Sequence, residues 1–478
     1  MNRASQSWAA WTLGVGFLMG AAAASAGTHQ TGIASASNAP AGMAIDAADR
    51  LHFSWQSPND QLHYTRIDGH KKISQLVDDT KDAGRWSAVA ADSAGNPYIV
   101  YYAFPQDPPR VALRVAHFDG VSWQHEELGD GGFSPAMAFD PNDQPAFVTT
   151  ESSSQAFEYY QRVNGEWEGD FPEAFAAQEL SPLSLVLDSA GHAHVGLTST
   201  VPSRPVYATN ATGDWVQTEL ADEGGTASVA LDSLGHPRAA LALTQVVRYT
   251  WFDGESWQSE DVFDPNDVPE ARLIQPGAAS LALDAHDRPR ILIMAQGEDQ
   301  HFNGMDLLIY AYQDGVSWRL LRLANGADFW TRLVVDSNGV SHGLYGKIHG
   351  SDADLVKTIS IALPDVTGEW TGLTVTPQKG GAQVTGTLSV RNDGPGSSKK
   401  AQLALYLSDD ALLDPNDTPV ATRASVPGLG AGKTKLVKVS FTSPAPLTAT
   451  HLIAVVDPNG LLDDTDRPNN TIVGDLTP

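Results

Sequence analysis

Cysteine is absent from all 478 residues. No disulfide can staple the fold, no thiolate can hold a metal and no cysteine nucleophile exists, so the chain must be held by its own core. Positive charge is scarce. Only 30 Lys and Arg stand against 57 Asp and Glu, a formal net charge of −27. Such a field repels a phosphate backbone and excludes nucleic acid as a partner. Beyond the N-terminus there is no apolar run long enough to span a membrane. The G-x-S-x-G elbow, the P-loop, the dinucleotide fingerprint and the H-E-x-x-H helix are also missing in any supporting context, so none of those chemistries is indicated.

What is present begins with an export signal. Arg3, an apolar stretch over residues 11–24 and the small-residue site Ala24-Ser25-Ala26 read as a signal peptide over residues 1–26. The mature chain is therefore expected to start near Gly27 and to work outside the cytoplasm. At this length one ordinary core is not enough, so several domains or a repeat architecture are expected. A hydrophobic content of 42% places the chain among globular proteins, and 43 Gly with 29 Pro suit many short strands joined by turns.

One short sentence is written seven times: MAIDAADRLHFSW, VAADSAGNPYIVYY, MAFDPNDQPAFVTT, LVLDSAGHAHVGL, VALDSLGHPRAAL, LALDAHDRPRILI and LVVDSNGVSHGLY. Its aspartates, Asp46, Asp92, Asp140, Asp188, Asp232, Asp284 and Asp336, lie 44 to 52 residues apart. A second element such as FDGVSW follows in most copies and carries Trp123, Trp167, Trp215, Trp257 and Trp318. Alternation and β-branched or aromatic residues make each copy four strands, a to d. The Asp of D-x-x-[GD] can accept a backbone N–H two residues on, and Gly or Asp at the fourth place tolerates positive φ. The [DN]-G of the second element is a two-residue hairpin signal. Strand a is apolar on both faces, one small and one mostly large, as sheets stacked around an axis require. The fold class is all-β: a seven-bladed β-propeller over residues 27–363, followed by an immunoglobulin-like β-sandwich over 364–478. Copy seven runs out after strand c, so the strand-like stretch before copy one, within residues 28–38, is expected to supply its strand d and close the ring.

The D-x-x-G-x-P and D-G-x-x-W pairing resembles the repeats of secreted bacterial propellers grouped with the sialidase-type (BNR or Asp-box) proteins. It departs from the strict S-x-D-x-G-x-x-W box in spacing and order, and neither the arginine triad nor the tyrosine nucleophile of sialidases can be placed. The C-terminal segment, with VRNDG, LYLSDD, IAVVDPNG and RPNN in order, resembles the CARDB domain of bacterial exported proteins. That resemblance implies a spacer, an anchor or a protein-binding module, at the cell surface, in the periplasm or in the medium of a bacterium.

The repeated aspartates read as turn residues, with calcium binding as the alternative, the tryptophans as inter-blade packing, with sugar platforms as the alternative, and His192 with His194 as a structural pair. The oxygen-rich cluster Asp409, Asp410, Asp414, Asn416 and Asp417 is the best cation candidate, Ca2+ being the fitting ion, though no cofactor is required. Alternation puts the short a–b and c–d turns at one end of the propeller and the long, variable b–c and d–a connections at the other. Binding residues belong on variable loops held by a rigid scaffold. Trp86, Arg110, Phe133, Arg204, Arg272, His301, Phe302, Trp330 and His349 are the aromatic and basic candidates there. The expected function is a monomeric binding or adhesion protein recognising an extracellular glycan or protein. The alternative is a propeller enzyme such as a lyase on an acidic polysaccharide, with a base from Tyr101, His301 or His349 and Arg110 to neutralise a uronate.

Overall fold

A computed structural model describes residues 27–476 apart from 37–39, 107–109, 152–156, 173–176, 179–180, 264–270, 300–303, 326–329, 350–351, 422–423 and 444–446. The described residues form seven four-stranded antiparallel sheets and a C-terminal pair of sheets. After β1 (Thr28–Ser35) come blade 1 (β2–β5: Gly42–Ile45, Leu51–Gln56, Leu62–Asp68, Lys71–Asp78) and blade 2 (β6–β9: Arg85–Ala91, Pro97–Ala103, Ala112–Phe118, Trp123–Asp130). Blade 3 (β10–β13) is Gly132–Phe139, Pro145–Glu151, Phe157–Val163 and Glu166–Asp170; blade 4 (β14–β17) is Ser184–Leu187, Ala193–Thr198, Pro205–Thr209 and Val216–Glu219. Blade 5 (β18–β21) is Gly225–Leu231, Pro237–Leu243, Val247–Phe252 and Trp257–Phe263; blade 6 (β22–β25) is Ala271–Leu283, Pro289–Asp299, Gly304–Gln313 and Trp318–Asn325. Blade 7 keeps three strands of its own, β26–β28 (Thr331–Val335, Ser341–His349, Asp352–Ile361). Its fourth strand is β1, which pairs with β28 from Thr28↔Ile361 to Ser35↔Leu355. The ring closes as the repeat count requires.

The repeated aspartate makes each first hairpin. In every copy its Oδ1 accepts backbone N–H groups two and four residues on, for example Ala94 and Asn96 on Asp92. The fourth residue of the turn sits at positive φ, Gly95 at 80° and Asp143 at 59°. The choice between Gly and Asp at that place has a cause outside the hairpin. Where Asp stands, its carboxylate accepts both the N–H and the hydroxyl of a serine in the preceding blade. The pairs are Ser93 with Asp143, Ser233 with Asp287, and Ser337 with Asp49 across the ring closure.

Apolar faces then stack blade on blade. Trp123, Trp215, Trp257 and Trp318 meet Tyr64, Tyr159, Tyr207 and Tyr249 of the preceding blade edge-on, with ring centroids 5.3–5.6 Å apart. These rings are inter-blade packing, where the aromatic quadrupole favours edge contact. His192 and His194 are structural too: both lie against Asp188, whose pKa burial raises but His192 and two backbone N–H groups hold down to about 2.

The C-terminal unit packs β29–β30–β34 (Val366–Gln378, Gly381–Asn392, Thr434–Ser443) against β32–β31–β35–β36 (Thr418–Val420, Ala401–Ser408, His451–Val456, Thr471–Asp475), with the short β33 (Ser425–Val426) also paired to β31, around Val384, Leu388, Leu405 and Leu452. Its last loop docks on blade 6. Arg467 bonds Asp314 through both its backbone N–H and its guanidinium, Arg288 reaches the Thr465 carbonyl at 3.1 Å, and Arg319 reaches Gly460 at 3.0 Å. Arg288 and Asp314 belong to the a–b and c–d turns. The sandwich therefore occupies the end of the propeller with the stereotyped turns and leaves the variable-loop end uncovered by this contact.

Candidate functional site

At the variable-loop end, the innermost strands of blades 2 and 3 both start with a bulge: the register shifts between Arg85 and Ala88 and between Phe133 and Ala136. Trp86 (φ 51°) and Ser134 (φ 52°) occupy the same repeat position in left-handed backbone, a costly conformation for a side chain as large as tryptophan. The bulge re-aims the indole. Trp86 meets Phe133 of the next blade edge-on at 5.0 Å, both half-buried. The exposed Arg85 guanidinium lies over the indole at 4.5 Å and has no carboxylate partner among the described residues. Two of the residues expected from sequence are thus brought together on a built platform, with a cation that sequence reasoning passed over.

Polar groups continue from this platform into the buried interface between blades 2 and 3. Thr149 Oγ1 donates to the Phe133 carbonyl at 3.1 Å and meets Tyr102 Oη at 2.5 Å. Glu158 lies directly across the ladder from Thr149. Burial and the neighbouring Glu151 carboxylate push its carboxyl up to about 7, against the lowering effect of the Tyr160 hydroxyl, and its Oε2 has no hydrogen-bond partner. Tyr160 stacks on Phe147 at 4.8 Å and meets the exposed Phe171 at 5.5 Å. The sequence carried one signal for this group. In FEYYQRV, Glu158 alternates in phase with Tyr160, placing a carboxyl on the face that Phe147 shows to be packed.

Other expected residues are placed elsewhere. Trp330 is buried, 7% exposed, among Ile33, Trp55 and Leu344 where blade 7 meets blade 1, so it belongs to the core and not to an open rim. Arg110 is paired with Glu127 and Arg204 with Glu219, the latter at 2.5 Å, so neither guanidinium is free to neutralise a uronate. Tyr101 is fully buried, with its hydroxyl donating to Asp78 at 2.7 Å, and burial pushes its pKa up. It cannot serve as a lyase base. His301 and Phe302 lie outside the described residues, and for Arg272 and His349 only the backbone is described, in β22 and β27.

The acidic cluster of the sandwich forms no cation cage. Asp410 accepts the N–H of Leu412; Asp414 accepts those of Asn416, and Asp417 that of Asp414. Asp409, Asp410, Asp414 and Asn416 are exposed and Asp417 is half-buried, and the carboxylates of Asp410, Asp414 and Asp417 are spent on their own turns. Among the described residues no three His, Cys, Asp or Glu side chains converge to hold a metal ion.

Comparison with known proteins bears mainly on the C-terminal unit. Residues 364–473 match the CARDB family. This segment is a CARDB domain. No curated protein matches the sequence. Among solved structures, an Aleuria aurantia lectin in complex with Fucα1-6GlcNAc is 12% identical with a TM-score of 0.40, the match covering 60% of this chain and 95% of that one. The polysaccharide lyase Uly1 is 12% identical with a TM-score of 0.39, over 69% and 90%. An α-L-arabinofuranosidase from Fusarium graminearum is 10% identical with a TM-score of 0.38, over 58% and 92%. Likenesses of this degree carry no argument about ligand or activity.

Proposed function

We propose that the chain is a secreted carbohydrate-binding protein, with the propeller as recognition head and the CARDB domain as spacer. The carrying observation is the Trp86–Phe133 platform with Arg85 beside it, held in strained backbone at the variable-loop end. Aromatic faces take the apolar side of a sugar ring, and a cation next to them suits an acidic one. The CARDB domain supports this division of labour because its contacts run to the opposite end, through Asp314 and Arg288. Screening the mature protein on a glycan array tests the reading. Capture should require Trp86 and Phe133 and survive substitution of the exposed Val121, at the other end.

A second reading, a glycan-cleaving enzyme, is favoured by Glu158. A carboxyl held near neutrality beside a second carboxyl is the arrangement that general-acid cleavage of a glycosidic bond uses. Release of new reducing ends from captured glycans, lost in Glu158→Gln while capture persists, would support it. Capture with no product formation by the wild-type chain leaves the binding protein alone.

A further inference from the structure

The propeller axis holds a second feature, separate from the aromatic platform. The residue four places before each turn aspartate lines the central channel: Gly42, Ala88 and Ala136 in blades 1 to 3, Ser184, Ser228 and Ser280 in blades 4 to 6, and Arg332 in blade 7. Six of the seven are small. The seventh is an arginine, the one charged side chain among the described residues lining this cavity of ≈ 180 Å³.

The innermost strand of each blade has no ladder partner on its axial side, so its polar backbone groups there must be met by other means. The serines do this in part. Ser184, Ser228 and Ser280 accept the N–H groups of Val229, Leu281 and Leu333 in the following blade at 2.9–3.0 Å. Each hydroxyl is used there as an acceptor, and none has an acceptor for its own proton among the described residues, leaving three O–H donors at the channel wall. In blades 1 to 3 glycine and alanine offer no such cap. Arg332 spends one donor, Nη1, on the carbonyl of Thr331 at 3.0 Å. Among the described residues no carboxylate pairs with it, in a chain where Asp and Glu outnumber Lys and Arg nearly two to one. Burial without a counter-ion pushes its pKa below the usual range.

A half-buried guanidinium with unspent donors and no anion beside it is a ready site for a charge-assisted hydrogen bond to a bound anion. We infer that the channel is a binding site for a small oxyanion, carboxylate being the best match, with Arg332 as the charged donor and the serine hydroxyls completing its shell. The ligand is either a free oxyanion or the carboxylate of an acidic sugar entering the channel mouth. The inference does not depend on the Trp86–Phe133 platform.

The test uses the intact mature protein. Thermal unfolding is followed while sodium acetate, sodium sulfate and sodium glucuronate are titrated at constant ionic strength, with glucose and sodium chloride as controls. The wild-type chain should show a saturable rise in melting temperature that Arg332→Gln lacks, with apparent affinity falling about tenfold or more. Because general salt effects act on both proteins alike, only the difference between them counts. A rise with glucuronate alone assigns the site to an acidic sugar; a rise with acetate and sulfate as well assigns it to free oxyanions. Arg332→Gln removes an unpaired charge from the wall, so folding is not at risk, and Arg332→Lys should restore part of the response. Identical titrations for wild type and Arg332→Gln overturn the inference.

Discussion

Ring closure through β1 can be tested at a single side chain. Ile33 is 2% exposed and packs with Trp55, Trp330 and Val356, the joint between the last blade and the first. Truncation to alanine removes three carbons from that joint and leaves a cavity, a change that costs ~2–5 kcal/mol in well-packed cores. β1 is an outer strand near the chain terminus, and its neighbours can close in on the gap, so the lower part of that range, about 2–3 kcal/mol, is expected. Gln30→Ala on the exposed side of the same strand is the control and should stay within about 0.5 kcal/mol. Urea unfolding of the two variants measures the difference. Hydrogen exchange adds the location: β27 and β28 should lose protection in Ile33→Ala before blades 3 to 5 do. Equal midpoints for Ile33→Ala and the wild type, with unchanged exchange in blade 7, would refute a closing role for the strand.

Three further outcomes follow from the geometry. Asp143→Gly keeps the left-handed turn but removes the carboxylate that holds Ser93; it should cost about 1 kcal/mol in urea unfolding, and no loss would make that clamp energetically idle. Asp464 is fully buried at the base of the CARDB domain, and burial with the nearby Asp365 raises its pKa to about 6 against the lowering effect of the N–H groups of Val366 and Asp466. The protonated form is thus favoured in the fold: stability is full below about pH 4, falls as pH rises toward 6, and loses at most about 3 kcal/mol. Asp464→Asn should flatten that difference in pH-dependent melts, and an unchanged slope would contradict the assignment. Glu158, raised to about 7, has the same sign in a higher window, so Glu158→Gln should reduce the loss of stability between about pH 5 and 7, by an amount that solvent screening of this half-buried group makes smaller.

Repetition made the scaffold legible. Seven aspartates at one spacing specify seven hairpins, and a missing fourth strand in the last copy points to the first strand of the chain. The alternation of Gly and Asp in D-x-x-[GD] was readable as tolerance of positive φ, but its deciding partner, a serine one blade earlier, becomes visible only when the blades are set side by side. The site was less legible for the same reason. Trp86 and Trp330 hold one repeat position, six before Asp92 and Asp336, yet one is a half-exposed platform and the other is core. What differs is the neighbour: Phe133 for Trp86, the Ile33 and Trp55 joint for Trp330. Arg110 and Arg204 look like free cations in sequence because Glu127 and Glu219, which neutralise them, lie a whole strand away.

The central claim is that the Trp86–Phe133 face captures carbohydrate. Its most direct measurement is glycan-array binding by the wild-type chain and by the Trp86→Ala, Phe133→Ala double variant, each shown to be folded by circular dichroism. The account predicts capture by the wild type and loss of roughly tenfold or more in the variant, since each ring removed forfeits on the order of 1 kcal/mol of aromatic contact. Equal capture by the two proteins, or none by the wild type, would contradict it.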